Sequence, residues 1–357
     1  MTSSTPIARR SSLGSQFGLG EKLFSSASER RFATALEEGL DAVEVGLIRE
    51  MSFTDSLADV TSRYLLDAGG KRVRPTLTLL TAQLGEGNND QVVTAAESLE
   101  ITHLASLYHD DVMDEANLRR GVPTAQIVWG NSVAILTGDL LFARASKLVA
   151  SLGVRAIMLQ ADTFERLCLG QLHETIGPRD DENAIDHYIQ VLADKTGSLI
   201  SAAAEMGVIF GNAPEEYRMP VKVFGEKVGV AFQLIDDVID LSAQQDKTGK
   251  AAGTDLRSGV ATLPLLFLRE LAVTDAAAAA LLTRLERDVN AAVYGAADEA
   301  EFAAAIAELR QHEVTRRTLD EAHRWAREAV EALAPLPDGP VKKALTRFAD
   351  SIVERSN

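Results

Sequence analysis

The chain has 357 residues, 46% of them hydrophobic, and a formal net charge of −16. That is enough apolar material for a sizeable core, which excludes a disordered polymer, and so acidic a surface repels DNA and anionic lipid, which argues against a nucleic-acid role. The single cysteine, Cys168, excludes an internal disulfide or a Cys-based zinc site and fits a reducing compartment.

Residues 1–20 are rich in Ser, Gly and Arg, contain no apolar signal-type stretch, and read as a loose tail ahead of one domain over 21–357. No run of roughly 18 apolar residues occurs, so a membrane span is not expected and the cytoplasm is the expected location. The first chemistry-bearing segment is Gly69-Gly70-Lys71-Arg72-Val73-Arg74-Pro75. It reads as a helix stop followed by a new helix with Pro75 in its first turn. Lys71, Arg72 and Arg74 would then stand beside a helix N-terminus, where N–H groups favour anions. The same heptapeptide reads equally well as a basic surface turn.

An apolar stretch from Ile101 to Tyr108 leads into His109-Asp110-Asp111-Val112-Met113-Asp114. On a helix, Asp110 and Asp114 lie one turn apart on one face, with Asp111 at its edge. Arg119-Arg120-Gly121 follows closely and fits either a salt-bridge network or a grip on anionic oxygens. Further along, Asp236-Asp237-Val238-Ile239-Asp240 repeats the aspartate spacing after Phe232-Gln233-Leu234-Ile235. One such motif would be an ordinary solvated acidic face. Two copies in apolar helix sequence are not, because clustered carboxylates repel and a divalent cation relieves them. The pair points to a metal–polyphosphate site, with basic side chains holding a second anionic group.

Between these motifs the chain reads as helix. No proline lies between Pro123 and Pro178 or between Pro264 and Pro335, and apolar residues recur at three- and four-residue steps, as in Leu141, Ala145, Leu148 and Leu152. Alanine runs such as Ala276 to Ala280 suggest close helix–helix approach, and no strands are needed. The expected fold class is all-α, with turns at Gly85–Asn89, Gly177–Asp181, Gly211–Pro214 and Pro335–Pro340.

From roughly Leu57 to Arg355 the sequence resembles the trans-isoprenyl diphosphate synthases, or polyprenyl synthetases. The matching blocks, in order, are GGKRVRP, LYHDDVMDEANLRRGVPT, TGDLLFA, DKTGSLI and FQLIDDVIDLSAQQDKTGKAAGTDLRSGVATLP. The resemblance implies the isoprenoid synthase fold, helices around a deep central apolar cavity, usually as a homodimer, with about three Mg²⁺ ions per site. It implies isopentenyl diphosphate and an allylic diphosphate as partners, with peripheral membrane contact for product release.

By motif position, the resemblance makes Asp110, Asp111 and Asp114 metal ligands, with Asp236, Asp237 and Asp240 as the opposing set. Arg119 would hold the allylic diphosphate, and Lys71, Arg74, His103 and Arg120 the isopentenyl diphosphate. Lys195, Thr196 and Gln233 would line the reacting pocket, and Lys250 would contact the allylic diphosphate. Taken alone, His103 and Gln233 read as satisfied core residues, and Lys195-Thr196 as a helix start. Val260 stands where many relatives have a second lysine, and Ala251 where a proline is common. Val353-Glu354-Arg355 resembles tails that close the isopentenyl site.

Ala105 and Ser106, five and four residues before Asp110, are small. One helical turn rises about 5.4 Å, close to one extended isoprene unit, so a bulky group there would act as a floor. Its absence predicts a medium- to long-chain product, such as the side chain of a respiratory quinone (menaquinone). Leu99 and Thr102 lie further down the same helix. The competing readings are a geranylgeranyl-type short-chain synthase, a class I terpene cyclase, and a non-catalytic subunit, which would usually lack one aspartate motif.

Overall fold

The computed structural model describes residues 26–242, 252–257, 259–293 and 299–356. The tail over 1–20 therefore lies outside the described residues, as do Lys250 and Ala251. The chain is helical from α1 (Ala27–Glu50) through α2 (Ser56–Asp67), α3 (Val73–Ala82) and α4 (Asp90–Met113). A short α5 (Ala125–Trp129) precedes α6 (Asn131–Leu152), α7 (Val154–Ile176) and α8 (Ala184–Leu192). Then come α9 (Ser198–Phe210), α10 (Arg218–Asp240), the single turn α11 (Thr254–Arg257) and α12 (Leu263–Ala272). The outer helices α13 (Ala276–Val293), α14 (Glu299–Gln311), α15 (Glu313–Ala332) and α16 (Pro340–Val353) complete it.

Local sequence sets the boundaries. The Asn89 side chain accepts from the Gln91 and Val92 amides to start α4, and Asp55 and Asn183 do the same for α2 and α8. Ser26 and Glu29 form a reciprocal capping box on α1. As expected, the GGKRVRP segment ends one helix and begins another: Gly69 has φ +97° and α3 starts at Val73. One feature differs from the all-helix expectation. Leu118–Arg119 and Val122–Pro123 form a small antiparallel hairpin, in register Leu118 to Pro123 and Arg119 to Val122. The cause is local: Arg120 and Gly121 both have positive φ, as a tight two-residue hairpin turn requires.

Helix α4 is buried along most of its length and forms the spine of the core. It packs on α6 and on α9, and α7 also packs on α6 and on α9. These four helices close a ring in which α4 and α7 face each other across the middle without a packed interface of their own. The α4–α6 side is tight because α6 turns Ala134, Gly138, Leu141 and Ala145 inward at helical spacing. Thr102 on α4 meets Gln160 on α7, while Asp110 and Glu174, further along the same two helices, share Lys195. The two helices therefore run parallel, with the aspartate motif at one end of the ring. α10 packs on α9 from outside and is covered by α15.

Candidate active site

Both aspartate motifs sit at the C-terminal ends of helices, Asp110–Asp114 on α4 and Asp236–Asp240 on α10. Carboxylates there face the negative end of the helix dipole as well as each other, an arrangement that favours a cation. Burial pushes the Asp110 carboxyl up to about 6, with Lys195 and Arg119 pulling down and Asp114 pushing up. Asp111 is fully buried. Its Oδ1 accepts from Arg119 Nε at 2.7 Å, while its Oδ2 is buried with no hydrogen-bond partner. Burial raises the Asp111 carboxyl despite that arginine.

The second motif is held differently. Asp236 Oδ1 pairs with Arg355 Nη2 at 3.0 Å, and the Arg355 guanidinium also lies 4.6 Å from the Phe232 ring centre. The tail thus folds back onto this motif. Asp237 Oδ2 accepts from the Tyr188 hydroxyl at 2.7 Å and from the Leu263 amide at 3.3 Å. Burial pushes the Asp237 carboxyl well up, with these two bonds opposing. Asp240 accepts from the Thr254 and Asp255 amides at 3.2 and 3.1 Å, which ties the α10 end to α11.

Lys195 and Thr196 lie on a π-helical turn, Ala193–Gly197, between α8 and α9, where the sequence alone read as a helix start. Such turns displace side chains from the regular helical register and recur at functional sites. Two glycines admit it: a Cβ on Gly170 of α7 would lie 2.7 Å from the Lys195 amide nitrogen, and one on Gly229 of α10 would lie 2.6 Å from the Gly197 Cα. Lys195 Nζ pairs with Glu174. Burial lowers the Lys195 ammonium, but Glu174 and Asp110 more than offset it, so the net direction is up. Glu174 also acts on Tyr188, the partner of Asp237, so its field reaches both motifs. Sequence reading missed Glu174, Tyr188 and the two glycines; Gly170-Gln171 followed by Glu174 on one helix is the signal that was available.

A cationic pocket borders the first motif. Arg74 Nε is buried without a partner, and burial, with Arg120 repelling and Glu100 opposing, pushes the guanidinium down to about 10. Arg120 Nη1 donates to the Leu65 carbonyl at 2.7 Å and to that of Gly69. Burial holds His103 well below its usual range, reinforced by Arg74, Arg120, Arg119 and Arg72, so the ring is neutral. Lys71 is exposed but partly desolvated, and burial and Arg355 lower its ammonium. Arg72 is a correction to the sequence expectation. Its backbone takes φ 51° and its side chain is already taken up by Glu44 and Glu100, at 2.6 and 3.2 Å.

Gln233 is half-buried on α10, one turn before Asp237, and no hydrogen bond to its amide is found among the described residues; Thr196 is also half-buried. Ala105 and Ser106 are buried, and Ser106 Oγ donates to the His103 carbonyl at 2.9 Å. Val260 is exposed on the loop leading to Leu263. Two half-open surface pockets, about 290 and 460 Å³, lie on other faces, and no aspartate of either motif lines them.

Among the described residues no three His, Cys, Asp or Glu side chains form a ready-made metal cage. The carboxylates nevertheless suit Mg²⁺, which takes one or two carboxylates and completes its shell with water and phosphate. The orphaned Asp111 Oδ2 and the strained Asp110 are groups a cation would satisfy.

Taken together, a carboxylate end facing Lys195, an adjoining arginine pocket and a second carboxylate end tied through Tyr188 have the donor set that a metal-assisted diphosphate-handling centre in an all-α fold requires. The polyprenyl synthetase family model matches residues 55–296, and the chain belongs to that family and is a prenyl-transferring enzyme. It is 43% identical over 325 residues to nonaprenyl diphosphate synthase from Mycobacterium tuberculosis, covering 91% of this chain and 94% of that one. Among solved structures it resembles a decaprenyl diphosphate synthase from Rhodobacter capsulatus, with 34% identity, TM-score 0.79, and coverage of 92% and 99%. It also resembles geranylgeranyl pyrophosphate synthase from Corynebacterium glutamicum, solved with calcium and isoprenyl diphosphate, with 37% identity, TM-score 0.78, and coverage of 93% and 99%.

Proposed function

We propose that this chain condenses isopentenyl diphosphate with an allylic diphosphate, such as farnesyl or geranylgeranyl diphosphate, to give a medium- to long-chain all-trans polyprenyl diphosphate. The observation that carries the reading is the placement of the first aspartate motif beside the Lys195–Glu174 pair, whose Glu174 also acts on Tyr188, the hydrogen-bond partner of Asp237, with the Arg74–His103–Arg120 pocket adjoining the first motif. Asp110, Asp111 and Asp114 on one side, and Asp236, Asp237 and Asp240 on the other, would hold Mg²⁺. When bound, the ions supply Lewis-acid stabilisation of the departing diphosphate.

Arg119 and Lys195 take oxygens of that same diphosphate, and Lys250 is assigned the same role. Arg74, Arg120 and Lys71 hold isopentenyl diphosphate through charge-assisted hydrogen bonds, while neutral His103 offers one N–H without adding charge. Thr196 and Gln233 present oxygens to the positive allylic fragment as its C–O bond breaks. The double bond of isopentenyl diphosphate attacks that fragment, and the proton lost goes to the released diphosphate. Water is kept out by the packed ring of α4, α6, α7 and α9.

The product would serve as a respiratory-quinone side chain, such as that of menaquinone, in the cytoplasm. Exposed Leu136, Val154, Met158 and Leu172 on α6 and α7 suit a homodimer face, which light scattering would test. No helix among the described residues is long and apolar enough to cross a membrane, and product release would need only peripheral contact. A geranylgeranyl product is the second reading, favoured by the likeness to the C. glutamicum structure. Incubation with Mg²⁺, farnesyl diphosphate and labelled isopentenyl diphosphate tests the proposal. Chromatography should reveal prenyl alcohols longer than geranylgeraniol after dephosphorylation; no incorporation would reject the activity.

A further inference from the structure

The π-turn Ala193–Gly197 carries, beside Lys195, a residue with no part in the reaction described above, Asp194. It is buried, and both its carboxylate oxygens are taken. Oδ1 accepts from Arg166 Nε at 2.8 Å and lies 2.8 Å from Arg166 Nη2 as well, while Oδ2 accepts from Gln190 Nε2 at 2.8 Å. The remaining arm of the guanidinium, Nη1, pairs with Glu226 of α10 at 2.8 Å. Arg166, Gly170 and Glu174 stand four residues apart on α7, so they share one face of that helix over about 12 Å. Arg166 takes Asp194, Glu174 takes Lys195, and Gly170 leaves room between them. A Cβ on Gly170 would lie 3.0 Å from the Asp194 Cβ and 2.7 Å from the Lys195 amide nitrogen.

Two neighbouring residues of opposite charge are thus drawn to opposite ends of one row on α7. Within the turn the Ser198 amide donates to the Ala193 carbonyl, five residues back, where a regular helix bonds four back. Reversion to a regular helix would rotate one side of the turn by about 100° against the other. It could not keep Asp194 on Arg166 and Lys195 on Glu174 together. We propose that the Arg166–Asp194 pair is a positioning element of the active site, which holds the π-turn in register and so aims Lys195 at the diphosphate. This rests on the reading of Lys195 as a diphosphate ligand. Lysine is a point charge on a flexible four-carbon stem. Glu174 fixes the tip of that stem, and Asp194, one residue away, fixes its root. Two guanidinium nitrogens on one partly buried carboxylate oxygen make a firmer tie than an exposed ion pair.

The test measures kcat and both KM values on the full chain with Mg²⁺, farnesyl diphosphate and labelled isopentenyl diphosphate. Asp194→Asn keeps the shape and removes the charge; Arg166→Met keeps the stem and removes the donors. Each lowers kcat about 10- to 100-fold, the scale of an ångström-sized misplacement, with KM for isopentenyl diphosphate within about twofold. Glu226→Gln breaks the other arm of the same guanidinium and leaves kcat within about twofold. In a Lys195→Met background Asp194→Asn lowers kcat no further, because it acts through the lysine. Circular dichroism checks that each variant is folded, and a crystal structure of Asp194→Asn shows Lys195 withdrawn from Glu174. Unaltered kcat in Asp194→Asn, or equal losses from Asp194→Asn and Glu226→Gln, overturn the proposal. So do additive losses in the double variant, which make the pair a plain structural tie. Lys195 still on Glu174 in the Asp194→Asn crystal overturns it whatever the activity. No incorporation by the unaltered chain overturns the diphosphate reading on which it rests.

Discussion

The two aspartate motifs share a spacing but not an environment. On α4, carboxylates are balanced by charged side chains, Arg119 on Asp111 and Lys195 facing Asp110, and one buried oxygen is left over. On α10, they are held largely by neutral donors and distant segments: the Tyr188 hydroxyl, the amides of Leu263, Thr254 and Asp255, and the C-terminal Arg355. The first motif is therefore a charge-loaded end, of the kind a cation would relieve. The second is a positioned end, whose geometry depends on parts of the chain that come after it or well before it.

The largest effect should follow from breaking the charge-loaded side. Asp110→Ala is expected to lower kcat by about two to three orders of magnitude with the fold intact, measured by steady-state isopentenyl incorporation. Next, Arg74→Ala removes a buried cation from the adjoining pocket. KM for isopentenyl diphosphate should rise about 10- to 100-fold while KM for the allylic substrate stays near its starting value. On the positioned side, Tyr188→Phe deletes one donor to Asp237 and should weaken divalent-ion affinity by about tenfold, read by calorimetry. Ala105→Phe should shorten the product with the first condensation retained; an unchanged length would remove the floor argument.

The smallest effect lies away from both motifs. Glu97 on α4 is buried against α1, and burial pushes its carboxyl up to about 7. A carboxyl whose folded value is raised contributes stability when protonated and loses it as pH rises through that value. The melting temperature should therefore fall between about pH 5 and pH 8, and Glu97→Gln should flatten that slope.

Much of this was legible in the sequence. Proline spacing and helical periodicity gave an all-α chain, and the Asp110–Asp114 and Asp236–Asp240 motifs, read as helical, do lie on helices, each at a C-terminal end. The exceptions are instructive. Arg72 reads like Lys71 and Arg74, yet a left-handed backbone turns it to Glu44 and Glu100, and those carboxylates lie 28 residues away on either side. The π-turn that presents Lys195 depends on glycines of two other helices, Gly170 and Gly229, whose importance appears only once those helices are packed. Tyr188 lies 49 residues before Asp237 with no local pattern to announce it. Spacing on one helix is readable; partners brought together from different helices are not.

The account depends most on both motifs serving a single diphosphate. Anomalous scattering from crystals grown with Mn²⁺ and a thio-analogue of farnesyl diphosphate tests this directly. The expected map has manganese peaks beside Asp110 and beside Asp236, flanking one shared diphosphate. Peaks confined to one motif, or motifs occupied by separate anions, would contradict it.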